Sequence, residues 1–451
     1  MSAAFALEDV AASLVSDGVS AGRQTMSREK VFWSHFCTNC APVTWVLGAL
    51  IAGLGLDFRS GLLALVLGNV LGALPVGLCS TLGPRTGLTQ IEISRFSFGR
   101  LGTRLPATLN WVSAVGWDAV NNVPSVLALV ALVARFGIGL PFWAGLCVLV
   151  AIQLTASVYG HHVVQTLAKY LSYAMIVVFT IAGVTAVVRG GSLAAAHGSV
   201  TAATFILAVS MIAGFDIGFA PYSSDYTRYL AAGTPPRTVF ALSFAGLVTS
   251  SFLLELCGLL TAGHLHDLSP GGVIDGIAAL TGPFAPVALI AIAASAVPIN
   301  SLNDNTAAYS LISMGVRIPR HVSAIVTSLC GFALAVAGAG TFAELFSNYL
   351  LLLLYWIAPW AGIVLADRLV HRGRRPAPRV GAGAAIFAVV TPLTIALFSA
   401  TEIYTGPLAR ALGGADVGFF AGFFIAGGAY ALVERRRSST VTDAAELASA
   451  V

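Results

Sequence analysis

About twelve times along the chain, the sequence runs for roughly 20 residues with few or no charges. A helix rises about 1.5 Å per residue, so each run is long enough to cross about 30 Å of hydrocarbon. Inside a bilayer, only helices and closed barrels satisfy every backbone N–H and C=O. A barrel needs short alternating segments, and these runs are long and unalternating. The expectation is an all-α integral membrane protein of about twelve spans. Charge agrees, since only 10% of the 451 residues are Asp, Glu, Lys or Arg, against about 25% in soluble domains. That excludes an ordinary cytosolic enzyme, and the 57% apolar content excludes a disordered chain. The 47 Gly and 19 Pro show no period, which excludes collagen-like repeats. The net charge of +4 comes from basic residues scattered over many loops, with no patch for nucleic acid.

The expected spans are 31–56, 61–82, 105–134, 141–160, 169–188, 203–222, 238–262, 283–312, 322–340, 342–366, 380–400 and 413–433. With the N-terminus in the cytoplasm, twenty of the 24 Lys and Arg fall in cytoplasmic segments, and only Arg59, Arg135, Arg189 and Arg410 fall outside. Missing or inventing one span in mid-chain would move every later loop to the other side and spoil this asymmetry. The expected organisation is a cytoplasmic tail at 1–30, a transmembrane transporter domain at 31–434 and a second cytoplasmic tail at 435–451. Both termini face the cytoplasm of a plasma membrane. The first 30 residues carry Glu8, Asp9 and Asp17 and no long apolar core, so they read as a tail and not a signal peptide. The Ala/Ser/Thr-rich end after Arg437 reads as disordered. The six Cys lie in apolar stretches and behave as small hydrophobes. Cys37 and Cys40 form a C-x-x-C with no second pair, so no metal site is expected.

Polar residues inside a span mark its protein-facing side. They gather in four runs: W-S-H-F-C-T-N-C-A-P-V at 33–43, G-W-D-A-V-N-N-V-P-S at 116–125, A-G-F-D-I-G-F-A-P-Y-S-S-D-Y-T-R-Y at 213–229 and P-I-N-S-L-N-D-N-T-A-A-Y-S at 298–310. The first and sixth spans both contain Ala-Pro, at 41–42 and 220–221. Pro removes a backbone donor and clashes with the preceding turn, and freed backbone groups at that depth are tolerated where they line a cavity. Interrupted helices at matching places in two halves point to a transporter with inverted repeats. Two ordinary Pro kinks are the alternative.

In the third span, Trp117 and Asn121 stand at i and i+4, on one helical face. A flat indole stacks on a flat heterocycle, and a carboxamide offers a donor and an acceptor to a nucleobase edge. Helix–helix packing is the competing reading of this pair. Asp118 and Asn122, one step round, face a neighbouring helix or the cavity edge. The ionisable groups within spans are Asp118, Asp216, Glu255 and Asp304, with Glu344 near a span end. Each must be paired, protonated or ion-binding, and Asp216 and Asp304 are the first choices to carry a coupling ion. The alternative for each is a hydrogen-bonded structural acid. Asp225 and Arg228, at i and i+3, read as an interfacial ion pair that closes or anchors the sixth span. His35 reads as structural, and His161 and His162 as loop residues.

Three stretches carry a resemblance. G-P-R-T-G-L-T-Q-I-E-I-S-R-F-S-F-G at 83–99, G-W-x-x-x-N at Trp117 and Asn121, and A-P-Y-S-S-D-Y-T-R-Y at 220–229 resemble the purine–cytosine permease branch of the nucleobase:cation symporter-1 family. The resemblance runs from about Lys30 to the tenth span. It implies a LeuT-type fold, with two inverted five-helix repeats plus two C-terminal helices, and symport of a nucleobase or related heterocycle with H⁺ or Na⁺. By matching positions, Trp117 resembles the family's stacking aromatic and Asn121 its polar substrate contact. Phe219, six residues before the Asp of S-D-Y, stands where many relatives carry Trp. Thr38 and Asn39 match the polar bend of the first span, and Ser301 falls near a hydroxyl ligand of sodium-coupled members.

The eighth span departs from the family's N-N-x-P-N-x-Y-S and reads N-D-N-T-A-A-Y-S at 303–310. Asn303 keeps the first Asn, while Thr306 and Ala307 replace Pro-Asn, with Asp304 and Asn305 as possible substitutes. Leu302 follows Ser301, which leaves one hydroxyl for sodium and favours H⁺. The reading is a secondary active importer of a nucleobase (cytosine or purine), with no cofactor beyond the coupling ion and no obligate protein partner. The alternative is a vitamin precursor or an allantoin- or hydantoin-like ring. No H-E-x-x-H or nucleophile triad supports an enzyme. Polarity gathered at one level, without repeated rings, speaks against a channel.

Overall fold

The computed structural model describes Val19 and residues 21–159, 161–190, 200–265, 267–371, 378–401 and 404–449, with the backbone alone for 157–168 and 438–449. The expected tail before Val19 and the basic cluster Arg372, Arg374 and Arg375 lie outside the described residues. Each of the twelve expected segments falls on helix. In chain order these are α1 (Glu29–Asn39) with α2 (Pro42–Gly53), α3 (Phe58–Ser80), α4 (Arg104–Ala134), α5 (Phe142–Tyr159), α6 (His161–Val188) and α7 (Ala202–Ile217) with the short α8 (Ser223–Thr227). After these come α9 (Pro236–Thr261), α10 (Pro270–Thr281), α11 (Ala285–Met314), α12 (Arg320–Gly338), α13 (Phe342–Val370), α14 (Ala382–Phe398) and α15 (Gly418–Ser449).

The first Ala-Pro site breaks its helix, and the second interrupts the α-helical pattern with a 3₁₀ turn inside one continuous stretch. Between α1 and α2, Ala41 is extended (φ −132°, ψ 156°) and Pro42 opens the next helix, giving a bend of 57°. Pro suits a first helical position, because its missing N–H would have had no partner there. α7 stops at Ile217, and a 3₁₀ turn at Ala220–Tyr222 carries Pro221 before α8 begins. By contrast, α4 and α11 run unbroken through Pro124 and Pro298. Their side chains, and not their backbones, supply the polar groups.

Three expectations need correction. α10 stands where a connection was expected; Ser269 caps it by accepting from Gly272 N–H, with Pro270 in its first turn. His161 and His162 open helix α6 instead of lying in a loop, and their side chains lie outside the described atoms. The backbone of α15 continues to Ser449, past the point where a disordered tail was expected.

Among the described residues, seven continuous helical stretches are long and apolar enough to cross a membrane, and the bent α1–α2 pair is an eighth. Leu63, Val177, Val184, Leu352, Val389 and Phe424 stay exposed on the outer faces, as a lipid-facing surface requires. One continuous apolar core joins the helices beneath them. The chain is a multi-pass membrane protein.

The segment 83–99 folds into short helices at Gly83–Thr86, Gln90–Ile93 and Arg95–Gly102. It docks onto α8: Gln90 N–H donates to Asp225 Oδ1 (2.9 Å), and Ser224 Oγ donates to Gln90 Oε1 (2.6 Å). Glu92, fully buried, pairs with Arg95. Two of the three distinctive sequence stretches therefore form one joint that holds the far side of the second helix break.

Candidate substrate site

A small cavity of about 40 Å³ lies between the two interrupted helices and the unbroken α4 and α11. The first break contributes Thr38, Asn39 and Val43, and the second Phe215, Gly218, Phe219, Tyr222 and Tyr226. α4 contributes Trp117 and Asn121, and α11 contributes Ile299, Leu302 and Asn303. All six residues that the sequence placed on a substrate line this one space. Tyr222, Tyr226 and Phe215 line it too; they were legible only as part of an aromatic-rich run.

Its aromatic walls are braced from behind. The Trp117 indole meets Phe215 edge-on at 5.5 Å and Tyr349 edge-on at 5.3 Å. Tyr349 is fixed in turn by donating its hydroxyl to Ser113 C=O (2.6 Å). A Cβ on Gly218 would lie 2.7 Å from Trp117 Cζ2, so the indole needs glycine at the second break. Phe219 stacks on Tyr226 (5.7 Å, 20° between planes) and takes the edge of His35 at 5.2 Å. His35 is wholly buried, with Nδ1 at 2.9 Å from Val31 C=O and Nε2 at 3.1 Å from Ser80 Oγ. It serves the site by holding a wall.

The polar groups fall into two clusters behind the cavity. At the first break, Asn39 Nδ2 donates to Asp216 Oδ1 and to Ser251 Oγ, both at 2.8 Å, and Ser251 Oγ donates to the same Asp216 oxygen at 2.6 Å. Asp216 Oδ2 has no hydrogen-bond partner among the described residues. One helical turn along α9 from Ser251, Glu255 Oε2 accepts from Asn69 Nδ2 of α3 (2.6 Å). Thr38 Oγ1 donates to Ser34 C=O of its own helix (2.9 Å). The sequence reading missed Asn69, a lone polar residue in an apolar span, and Ser251, one of a short Thr249-Ser250-Ser251 run with nothing to single it out.

The second cluster lies between α4, α5, α11 and α12. Gln153 of α5, fully buried, donates Nε2 to Asp118 Oδ1 (2.8 Å), Ser328 Oγ (3.0 Å) and Asp304 Oδ2 (3.4 Å). Asp118 thus faces neighbouring helices, and its carboxyl lies against the bare backbone of Gly331 in α12. Asp304 turns toward α5 and α12, so neither it nor Asn305 replaces the missing Pro-Asn at the cavity wall. Ser301 Oγ donates back to Val297 C=O (2.8 Å) and does not line the cavity. Glu344 is exposed.

The expected ion pair of Asp225 and Arg228 does not form. Asp225 instead accepts from Gln90 N–H and from Thr306 Oγ1 (3.1 Å). Arg228, nearly fully buried, donates Nη2 to the hydroxyls of Tyr229 and Tyr309, both at 3.0 Å, and lies over both rings. The carboxylate is held by a backbone donor and a hydroxyl, and the guanidinium lies against two ring faces.

Residues 22–380 match the family described as permeases for cytosine/purines, uracil, thiamine and allantoin. A Bacillus subtilis protein provisionally named a purine-cytosine permease is 28% identical over 412 residues, covering 86% of this chain and 88% of that one. A purine-cytosine permease of Emericella nidulans is 27% identical over 415 residues, 85% of this chain and 80% of that one. Among solved structures, Mhp1, a nucleobase-cation-symport-1 family transporter captured closed with bromovinylhydantoin bound, superposes with a TM-score of 0.76 at 17% identity. That likeness covers 94% of this chain and 96% of Mhp1, and it shows a shared fold.

Proposed function

Because this chain belongs to the permease family for cytosine/purines, uracil, thiamine and allantoin, we propose that it imports a nucleobase, cytosine or a purine, by symport with H⁺. The observation that carries this is the meeting of Trp117 and Phe219 with the amides of Asn39, Asn121 and Asn303 in one cavity. Two flat rings and three carboxamides suit a flat, hydrogen-bonding heterocycle better than a sugar, a lipid or a bare ion. The span order and the 20-to-4 division of basic residues support twelve crossings in a 5+5+2 arrangement with both termini cytoplasmic.

Asp216 is the proposed coupling group. Its Oδ1 accepts from Asn39, a cavity residue, so its charge state is felt one bond from the substrate. A carboxylate at mid-membrane costs about 2.5–3.5 kcal/mol on insertion scales, and a bound proton removes that charge. The back-bonded Ser301 and the apolar Leu302 supply poor sodium ligands, which favours the proton. Asp118 and Asp304 stand further back, behind Gln153. Asp225 and Arg228 anchor the cytoplasmic end of the second break as two separate contacts. Access alternates as the bundle holding the broken helices rocks against the rest.

The altered α11 supports a second reading. Thr306 bonds Asp225 and Asp304 faces away, so Asn303 is the one member of that stretch on the cavity. This leaves room for a vitamin precursor or an allantoin- or hydantoin-like ring. Uptake of labelled cytosine by Trp117→Ala, with membrane insertion verified, tests the site. Uptake should be abolished, and normal uptake would sink the assignment. A competition panel with allantoin and pyridoxine separates the two substrate readings.

A further inference from the structure

Gln153 sits outside the cavity, yet a chain of directed hydrogen bonds joins it to the cavity wall. Its Nε2 points at the carboxyl oxygens of Asp118 and Asp304. Its Oε1 is therefore turned the other way and accepts from Asn300 Nδ2 (3.3 Å), which also donates to Asp118 C=O (3.2 Å). Asn300 Oδ1 then accepts from Asn121 Nδ2 (3.0 Å) and from Asn303 Nδ2 (3.4 Å). Gln153 and Asn300 are wholly buried, so water does not compete for these bonds.

An amide has one donating end and one accepting end, so turning one amide in such a chain turns the next. At the head of this chain stand two carboxyls whose oxygens take the Gln153 N–H groups. At its end, Asn121 and Asn303 each donate one of their two N–H groups to Asn300 Oδ1. Their Oδ1 atoms have no partner among the described residues, and both side chains line the cavity.

We infer that Gln153 and Asn300 are positioning residues that set the hydrogen-bond polarity of the substrate cavity, fixing Asn121 and Asn303 as two acceptors for an amino-bearing base. This rests on the nucleobase reading above. An exocyclic NH₂ carries two hydrogens and matches two carbonyl acceptors, whereas a ring carbonyl in the same place offers those acceptors no hydrogen. A mismatch of that kind leaves buried acceptors unpaired. The carboxyls reach the ligand only through the orientation of the amides between them. The groups facing Gln153 are Asp118 from α4, Asn300, Ser301 and Asp304 from α11, and Ser328 from α12. Asp118 and Asp304 are the titratable members of that set.

Cytosine and uracil share one ring and differ by an amino group against a carbonyl, so their affinity ratio reads the polarity. The experiment measures binding of both to the purified full chain in detergent, with adenine and hypoxanthine as a second pair. Wild type should favour cytosine by about tenfold, the low end of what a well-paired base edge supplies. Gln153→Met, similar in volume but without an amide, removes one of the two acceptors that orient Asn300 Nδ2, leaving Asp118 C=O, and should lower the ratio toward unity. The isosteric double variant Asp118→Asn/Asp304→Asn should do the same and serves if Gln153→Met fails to fold. Trp117→Ala should weaken both bases together and leave the ratio alone. A wild-type ratio near unity, or a preference that persists in Gln153→Met, overturns the relay and leaves the nucleobase site standing. A wild type that binds none of the four bases overturns the nucleobase reading itself.

Discussion

Gly218→Ala probes the closest fit at the site. The new Cβ would lie 2.7 Å from Cζ2 and 3.3 Å from Cε2 of Trp117, where ordinary contact begins near 3.4 Å. The indole must retreat by about 0.7 Å, and a rigid bicycle cannot bend out of the way. Phe215 and Tyr349 hold it edge-on, so it cannot swing freely. Overpacking of this kind costs roughly 1–3 kcal/mol. Charged to the bound state, that is about a 5- to 150-fold loss of affinity. Binding of labelled cytosine to purified protein reads the loss, with Gly233→Ala as the control, since nothing lies within 4 Å of its Cβ. Adding Trp117→Phe removes the atoms that clash, so the double variant should bind better than Gly218→Ala alone, a non-additivity expected of touching residues. Wild-type affinity in Gly218→Ala, or no recovery in the double variant, would refute the placement of Trp117 against the helix break.

Asp216→Asn should bind cytosine but lose accumulation, so that a pH gradient drives uptake only to equal concentrations; accumulation at the wild-type level would remove Asp216 from coupling. Arg228→Lys keeps the charge but cannot lie flat over Tyr229 and Tyr309, and should lower stability by on the order of 2 kcal/mol, read as a fall in melting temperature. Asp57 caps α3 by accepting from Ser60 N–H, which holds its carboxyl below the ordinary 3.8. A carboxylate with a depressed value stabilises the fold above its ordinary value and stops doing so as pH falls through the depressed one. The melting difference between wild type and Asp57→Ala should therefore hold steady above pH 3.8 and fall away below it, as pH drops through the depressed value.

What the sequence made legible follows from how local each signal is. The Ala-Pro sites were readable because Pro acts on its own backbone: the first became a bend at α1–α2 and the second a 3₁₀ turn between α7 and α8. Trp117 and Asn121 were readable because helical periodicity puts i and i+4 on one face. Gln153 was not, because a single amide in the apolar run of α5 carries no period, and its partners come from three other helices. Asn300 lay inside a polar run without any mark to separate it from Asn303 or Asn305. Asp225 and Arg228 illustrate the opposite failure. Their i, i+3 spacing suggested a local pair, but the docked segment 83–99 and the rings of Tyr229 and Tyr309 offered each a better partner. Helix α10 was passed over although Ser269-Pro270 marks its start, because the apolar run that follows is shorter than a membrane crossing.

Uptake of labelled cytosine into proteoliposomes tests the central claim most directly, run with an imposed inward pH gradient, with and without sodium, beside Trp117→Ala. The account predicts accumulation driven by the pH gradient, independent of sodium, blocked by unlabelled purine or pyrimidine bases and absent from the variant. Cytosine accumulation equal in wild type and Trp117→Ala, or no displacement by any base, would contradict it.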